Sequence, residues 1–292
     1  MKPRNKKELG VREYPFGEYA VPRRHEEKRG VPRRRVRLIE RLITLYPARG
    51  EKELFAEILR GDVLVAGEKV MKPGTPVAPD AEISIREKAP YVSRGGEKLA
   101  AGLDLWGIEC GGRTWIDAGC STGGFTDCLL RRGASLVYAV DVGENQLDWR
   151  LRADPRVRVM ESTNIMAVRA EELDPPPDSA VADLSFRSIR RAASLILGLT
   201  AEKRGIFLVK PQFEYADPPR EFRGVVQWQG ALRTIITDLV AGLGEEGAGV
   251  EDGIESPLRG RKGNREFLFL LRLGRGRREM DLDALLRKLL LE

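Results

Sequence analysis

The sequence is poor in the side chains that most often bind metals or form disulfides. It has one histidine, His25, and three cysteines, Cys110, Cys120 and Cys128, among 292 residues. The cysteines form no CxxC pair, and one histidine cannot complete a zinc site with them. The single histidine also argues against a catalytic triad. We therefore expect no metal and no disulfide, so that acid–base chemistry falls to Lys, Asp, Glu, Tyr or Cys.

Long apolar runs are absent as well. No run approaches the roughly 18 residues that a membrane-spanning helix needs. The most apolar stretches, "SLILGLTA" and "EFLFLLRLG", have the length of a strand or a short helix. The N-terminus is basic but lacks the apolar core of a secretory signal. These absences lead us to expect a cytoplasmic protein without a membrane partner.

Positive charge is concentrated at the N-terminus. Residues 1–35 hold twelve Lys or Arg and five acidic residues, a net charge of +7, whereas the whole chain carries +6. This arm has little apolar periodicity, which is typical of a flexible segment that contacts polyanions. A solubilising tail is the alternative interpretation. We expect Arg33, Arg34 and Arg35 to contact RNA.

Residues 36–88 predict a small α+β module. Apolar spacing predicts helices over about 36–45 and 51–60, and "VLVAGEKV" predicts a hairpin. The helix ending in "RGDVLVAGEKV", with "KPGTPV" and "DAEI" after it, resembles an S4 RNA-binding domain. Nine basic and nine acidic residues balance here. The resemblance implies RNA binding, to which we assign Lys72.

Two positions of this module depart from the S4 pattern. The family carries Ser-Arg at the start of the second helix and Asn-Gly in the hairpin, where this chain has Gly50-Glu51 and Ala66-Gly67. Both changes weaken the expected RNA contact, and the N-terminal arm could supply the missing charge.

From residue 89 to about 278 the chain alternates strands and helices. Helices fit from Ser93, after Gly123, after Phe186 and from Ala231. Strands are predicted near "TWIDAG", "LVYAVDVG", "VRVMES", "AVADLSF", "GIFLVKPQF" and "REFLFLLRL". Alternating βα units predict a Rossmann-like α/β fold with ligands at the strand carboxyl ends. Residues 279–292 predict an amphipathic helix that packs on this domain or docks a partner.

The loop in "DAGCSTGGFTDCLL" matches neither common phosphate-binding motif. It lacks the lysine of a P-loop, and glycines at 119, 123 and 124 do not have the GxGxxG spacing. Asp141 ends the next strand, where an acid suits a ribose diol. An adenosine cofactor without phosphates fits both features, which indicates S-adenosylmethionine, with Asp117 or a loop amide facing its charged end. Alternatively, the glycines only shape a tight turn.

Polar residues also stand at the ends of later apolar strands. Asp183 interrupts "AVADLSF", Lys210 ends "IFLVK", and Glu266 opens "EFLFLL". Lys98 lies on the helix before the first strand. Lysine is seldom buried unless it is paired, so an acid at a neighbouring strand end is expected to pair with Lys210. Such a positioned amine could hold a hydroxyl or accept its proton.

An ordered set of motifs carries a more specific resemblance. The motifs are "YVSRGGEKL", "DAGCSTGGFTDCLL", "VYAVDVGENQL", "DPRV", "ADLSF", "LVKPQFE" and "GNREF". Together they resemble the TlyA group of FtsJ-like 2′-O-ribose RNA methyltransferases, also labelled hemolysin A. The resemblance implies a seven-stranded, mostly parallel sheet and methyl transfer to ribosomal RNA, with a cytidine 2′-hydroxyl in a ribosomal subunit as the expected acceptor.

The resemblance also assigns site residues. It implies a catalytic tetrad of Lys98, Asp183, Lys210 and Glu266. We expect cofactor contacts from Asp117, Gly119, Ser121, Gly123, Gly124, Phe125, Asp141, Asn164 and Asp183. Arg94 is a further RNA candidate, Phe213 could stack on a base or pack in the core, and Cys120 is expected to be buried and unreactive.

Two alternatives to the enzyme stay open from the sequence. One is a non-catalytic RNA-binding or ribosome-assembly protein of the same fold, which the four polar residues disfavour. The other is a membrane-active hemolysin, for which no apolar span or strongly amphipathic basic helix exists.

Deleting residues 1–35 is expected to weaken RNA binding and to flatten its dependence on salt. Without the arm the protein neutralises fewer phosphates, so fewer counterions are released on binding. Titrating RNA into the full-length and shortened proteins at several salt concentrations measures both effects. Unchanged affinity and slope would support the solubilising-tail interpretation instead.

Overall fold

The computed structural model describes residues 35–85, 90–185, 188–226, 228–274 and 281–290. The chain divides into two units, with the boundary between Glu87 and Lys88. Arg33 and Arg34 fall outside the described residues, as does all of the predicted arm except Arg35. The helix predicted after Phe186 is present and begins at Arg190.

The first unit contains both predicted helices, α1 (Leu38–Leu45) and α2 (Glu51–Arg60). Its short strands are β1 (Val36–Arg37), β2 (Val63–Val65), β3 (Glu68–Lys69), β4 (Pro76–Val77) and β5 (Ile83–Ile85). The predicted hairpin is β2–β3, and β5 completes a three-stranded sheet on the other side of β2, while β1 pairs with β4. A small core forms from Leu38, Leu42, Leu54, Ile58, Val63 and Val77. The likeness to an S4 domain stays a prediction.

The second unit begins with α3 (Gly95–Trp106), and strands then alternate with helices. Its strands are β6 (Thr114–Ala118), β7 (Leu136–Val140), β8 (Val157–Met160), β9 (Ser179–Ala182), β10 (Arg204–Val209), β11 (Ala248–Glu255) and β12 (Phe267–Leu273). The remaining helices are α4 (Gly124–Arg131), α5 (Trp149–Arg152), α6 (Arg190–Gly198), α7 (Pro211–Glu214), α8 (Gln229–Glu245) and α9 (Leu282–Leu290).

These seven strands form one sheet in the order β11-β12-β10-β9-β6-β7-β8. Strands β6 to β10 are parallel, while β12 runs antiparallel to both β10 and β11. The predicted Rossmann-like fold with a mostly parallel sheet is therefore confirmed. The antiparallel β12 brings its amino end, rather than its carboxyl end, to the edge where β6 to β10 end.

Helices cover both faces of this sheet. Successive residues of β6 point to opposite sides, so Trp115 packs with α3 and α4 whereas Ile116 packs with α6, α8 and α9. Helix α9 buries four leucines, Leu285, Leu286, Leu289 and Leu290, in the second layer. The packing interpretation of the C-terminal helix is thus confirmed. On α3, Leu99 and Leu103 are buried, whereas Leu105 is 57% exposed.

The amino ends of α3 and α4 approach each other closely. A Cβ atom on Gly124 would lie 2.2 Å from Oγ of Ser93 and 3.0 Å from the backbone nitrogen of Gly96. The N-cap of α3 is Arg94 rather than Ser93, where the helix was expected to start; the Ser93 hydroxyl accepts a hydrogen bond from the backbone N–H of Gly95 at 3.3 Å. Only a residue without a side chain fits at 124. This contact sets the glycine loop before α4 against the start of α3, which carries Lys98.

Gly124→Ala is expected to lower the free energy of unfolding by about 1–3 kcal/mol, because the added methyl group overpacks this contact. Gly244→Ala in α8 is the matched control: nothing lies within 4 Å of a Cβ there. That change should raise stability by roughly 0.5–1 kcal/mol through helix propensity. Urea denaturation of both variants measures the difference, and equal effects would contradict the close approach.

Candidate active site

The glycine loop between β6 and α4 crosses the carboxyl edge of the sheet. Gly119 and Gly123 have φ angles of +83° and +93°, in the left-handed region that favours glycine. A Cβ atom on Gly119 would lie 2.7 Å from the carbonyl oxygen of Asp183, and one on Gly123 would lie 2.3 Å from Leu151. Glycine at these two positions lets the loop pass between the end of β9 and α5.

Asp117 is fully buried beneath this loop. Its Oδ2 accepts a hydrogen bond of 2.6 Å from the Thr126 hydroxyl, whereas Oδ1 has no hydrogen-bond partner among the described residues. Burial raises the pKa of Asp117 to about 7; the Thr126 bond opposes this, and nearby Asp183 and Asp141 add to it. Leaving a buried carboxylate oxygen without a hydrogen-bond partner costs free energy. This oxygen is therefore suited to binding a cationic group of a ligand.

The Asp141 carboxylate at the end of β7 organises the opposite side of the loop. It accepts hydrogen bonds from the backbone N–H groups of Ser121 at 2.8 Å and of Gly143 at 2.7 Å. The Ser121 hydroxyl also donates to Gln146 at 3.1 Å. Two predicted cofactor residues, Ser121 and Asp141, are therefore joined directly.

Glu161 holds the chain that follows Asp141. Its carboxylate accepts three backbone N–H bonds, of 2.9–3.0 Å, from residues 145–147 and a 2.6 Å ion-pair contact from Arg152. The Arg152 hydrogen bond, followed by those backbone donors, lowers the pKa of Glu161 to about 2. Residues 141–147 thus form an ordered wall beside the glycine loop. Sequence reasoning missed Glu161, although it follows directly after β8.

The four predicted catalytic residues form two ion pairs. Nζ of Lys210 lies 2.6 Å from Oδ1 of Asp183, and it also donates to Oγ of Ser185 at 2.8 Å. Lys98 pairs with Glu266, and both side chains are buried. The first pair is more exposed than the second. Each lysine therefore has an acidic partner, as expected for Lys210 from its apolar context.

Strand register brings the two pairs together. Val209 of β10 lies opposite Phe267 of β12, so the next residue of β10, Lys210, and the preceding residue of β12, Glu266, are neighbours. Ala182 pairs with Ala118 on one side and with Phe207 on the other, which sets Asp183 between Gly119 and the end of β10. The candidate tetrad and the glycine loop thus share one edge.

Other predicted residues occupy different environments. Asn164 is exposed and caps a short 3₁₀ helix by accepting the N–H of Met166 at 3.1 Å. The Phe125 side chain is buried in the core, and its expected contact with a cofactor stays a prediction. Phe213 is half-buried, with its ring 6.0 Å from Nζ of Lys210. It therefore lies at the site rather than deep in the core.

The candidate RNA residues Arg35, Lys72 and Arg94 are all exposed. Cys120 is buried as predicted, and burial raises the pKa of its thiol. No group of His, Cys, Asp and Glu suited to a metal occurs among the described residues. Within those same residues, no helix is long and apolar enough to cross a membrane.

Two buried polar side chains that the sequence did not single out brace the tetrad. Glu214 accepts hydrogen bonds from the Ser188 hydroxyl at 2.5 Å and from the N–H of Ile189 at 2.9 Å. It joins α7, just after Lys210, to the segment that follows Asp183. Asn264 lies two residues before Glu266 and is likewise buried. Their partners are 25 to 40 residues away in sequence, so local patterns could not reveal them.

Comparison with known proteins identifies similar chains. A family model described as FtsJ-like methyltransferase matches residues 91–273. The 16S/23S rRNA (cytidine-2'-O)-methyltransferase TlyA of Mycobacterium tuberculosis is 38% identical over 244 residues, 82% of this chain and 90% of that protein. Hemolysin A of Brachyspira hyodysenteriae is 37% identical over 213 residues, 72% of this chain and 89% of that protein. A solved structure described as "Putative hemolysin from Streptococcus thermophilus" is 32% identical, covers 88% of this chain and 94% of its own, and gives a TM-score of 0.65.

Asp117→Asn is expected to remove a pH-dependent loss of stability. With a folded-state pKa of about 7 and an ordinary value of 3.8, the folded protein holds this proton more tightly. The free energy of unfolding should therefore fall between about pH 4 and pH 7 and level off above, and the variant should lack this slope. Denaturation across pH measures it.

Asp104→Asn is the control for this titration. Its hydrogen bond with Arg132 lowers the pKa of Asp104, so its stabilising effect is lost only as pH falls below about 4. A slope between pH 4 and 7 that is as steep in Asp117→Asn as in the unchanged protein would contradict the raised pKa.

Proposed function

Because this chain belongs to the FtsJ-like methyltransferase family, we propose that it methylates the 2′-hydroxyl of a ribose in ribosomal RNA, with a cytidine as the target. The observation that carries the proposal is the paired set of Lys98, Asp183, Lys210 and Glu266 beside the glycine loop. The name of the mycobacterial relative supports both the acceptor and the nucleotide.

We propose S-adenosylmethionine as the methyl donor. Asp117, with its unpaired oxygen, the main chain of residues 119–125, and Asp141 would hold it. When bound, it supplies an electrophilic methyl group on a sulfonium. The loop fits a nucleoside with a short charged tail, because its glycines permit close backbone approach while the acids disfavour phosphate. Asn164 and Asp183 stay candidate contacts.

The chain's own residues would align the hydroxyl and manage one proton. A ribose hydroxyl is a weak nucleophile, so positioning accounts for much of the expected acceleration. The Lys210 ammonium, paired with Asp183, would first release a proton to solvent; the neutral amine would then hold the hydroxyl and accept its proton as the oxygen attacks the methyl group and the sulfur leaves. Asp183 would stabilise the ammonium that forms, and Ser185 would fix the direction of Nζ. Phe213 would limit water access to the amine.

Lys98 and Glu266 would support this arrangement without contacting the proton. Their opposite charges compensate each other inside the protein, where an isolated charge would be costly. Glu266 lies beside Lys210 across the β10–β12 pair. Because Glu266 is paired with Lys98, Asp183 would remain the acidic partner of Lys210.

The hemolysin names belong to the relatives that carry them. Nothing in the edge described above requires a membrane, and the two ion pairs beside the glycine loop suit methyl transfer to a hydroxyl. The site therefore supports the enzyme over a membrane-active protein.

The proposal can be tested with purified protein, labelled S-adenosylmethionine and ribosomal subunits from a strain that lacks the protein. Label should appear in alkali-resistant 2′-O-methyl nucleotides, because the methyl group blocks the 2′-hydroxyl that alkaline cleavage needs. Label on a base, or none on RNA, would refute the proposed reaction.

Lys210→Ala is expected to abolish transfer while leaving cofactor affinity largely unchanged, since Lys210 pairs with Asp183 and Ser185 rather than with the glycine loop. Lys203→Ala is the matched control, because Lys203 precedes the opposite end of the same strand and donates to the carbonyl of Gly198. Single-turnover assays and equilibrium binding separate the two effects. Loss of cofactor binding in Lys210→Ala would show that its role is assigned wrongly.

A further inference from the structure

A strongly basic surface lies beside Glu266. It is formed by two segments, 219–228 without Gln227 and 257–263, and we call it the basic face. Its exposed members are Arg220, Arg223, Trp228, Arg259, Arg261 and Lys262. The two segments contain one acidic residue, Glu221. This concentration of positive charge is notable because the chain beyond residue 35 carries slightly more acidic than basic residues.

Asn264 joins the two segments. Its Oδ1 accepts the N–H of Val226 at 2.9 Å, and its Nδ2 donates to the carbonyl of Gly224 at 2.8 Å. Its own carbonyl accepts the N–H of Gly260 at 2.9 Å. A Cβ atom on Gly224 would lie 3.7 Å from Nζ of Lys262. The cations of both segments are therefore held on one surface.

The 257–263 segment also reaches the edge of the sheet that carries the tetrad. A Cβ atom on Gly260 would lie 2.5 Å from Oε1 of Glu266, so the 257–263 segment passes directly over that carboxylate. Glu266 is the neighbour of Lys210 across the sheet. The basic face is thus adjacent to the amine that is proposed to hold the target hydroxyl.

The positive charges of the basic face are available to a ligand. In the part of the chain that the structure describes, Arg220, Arg223, Arg261 and Lys262 have no ion-pair partner. Arg259 makes a long contact of 3.7 Å with Glu255 and stays mostly exposed. In contrast, Arg150 and Arg152, on the other side of the glycine loop, are both paired with acids.

Trp228 adds a flat apolar surface to these charges. Its side chain is 74% exposed, yet its ring lies against the start of α8, where a Cβ atom on Gly230 would come within 2.7 Å. One side of the indole therefore rests on the backbone while the rest faces solvent. An exposed, positioned aromatic ring among free cations suits an unstacked base with its flanking phosphates.

We propose that the basic face binds the RNA strand next to the target nucleotide, with Trp228 stacking on a base and the surrounding cations contacting phosphates. This rests on the proposed function, because it assigns RNA as the ligand. An acidic protein segment could also meet these cations. RNA is favoured because the face adjoins a site that acts on a ribose and because the indole offers a stacking surface.

Trp228→Ala is expected to weaken binding of a ribosomal RNA transcript roughly tenfold, and Trp228→Phe should restore most of the affinity because it can still stack. Gly230→Ala should also weaken binding, since the methyl group must displace the indole, without lowering thermal stability. Trp149→Ala is the matched control: Trp149 is 75% exposed but has only paired arginines beside it.

The double variant Arg261→Ala/Lys262→Ala should lower the slope of log affinity against log salt by about 2, one for each lost phosphate contact. In turnover it should raise the KM for RNA with kcat and cofactor affinity close to those of the unchanged protein. Arg158→Ala, which removes an exposed cation on the edge strand β8, should leave slope and KM unchanged.

RNA binding is measured without methyl transfer, so the two proposals can fail separately. Unchanged RNA affinity in Trp228→Ala and an unchanged salt slope in the double variant would overturn the basic face while leaving the methyltransferase intact. Weakened binding to whole subunits with unchanged binding to the naked transcript would identify a protein ligand, and would equally overturn it. Absence of methyl transfer by the unchanged protein would overturn only the proposed function.

Discussion

The buried ion pair between Lys98 and Glu266 is the interaction on which the second unit depends. It joins α3, the first helix of the unit, to β12, the last strand, and both side chains are out of solvent. Removing one partner of such a pair typically costs about 3–5 kcal/mol, because the other charge stays buried without compensation. The position of α3 is therefore tied to the register of β12, and through β12 to β10.

The exposure of the two ion pairs divides their roles. The Lys98–Glu266 pair is closed to solvent, and each of its charges is taken up by the other. It can therefore fix the geometry of the site but cannot easily exchange protons. The Asp183–Lys210 pair is partly buried, with side chains 26% and 12% exposed, so it is more open to a ligand than the Lys98–Glu266 pair. A buried Lys98–Glu266 pair beside a more exposed Asp183–Lys210 pair suits an enzyme that must align a weak nucleophile rather than activate it strongly.

The sequence predicted most of this edge because parallel strands end together. Asp117, Asp141, Asp183 and Lys210 each follow or close an apolar run, so the fold class alone brings them to one side. Strand β11 could not be predicted from the sequence, because Glu251 and Asp252 lie within it and a register shift after Val250 hides its alternation. Asn264 and Glu214 were missed for another reason: their hydrogen bonds connect distant segments.

The separation of Lys98 from Glu266 by 168 residues has a consequence for how the protein is made. During synthesis α3 emerges early, whereas its acidic partner is among the last residues of the sheet to be added. Until then the Lys98 ammonium has no counterion at its final position, and β10 has no partner on one side. The nascent chain therefore cannot assemble the complete edge, and a product that stops before Glu266 lacks the acidic partner of Lys98.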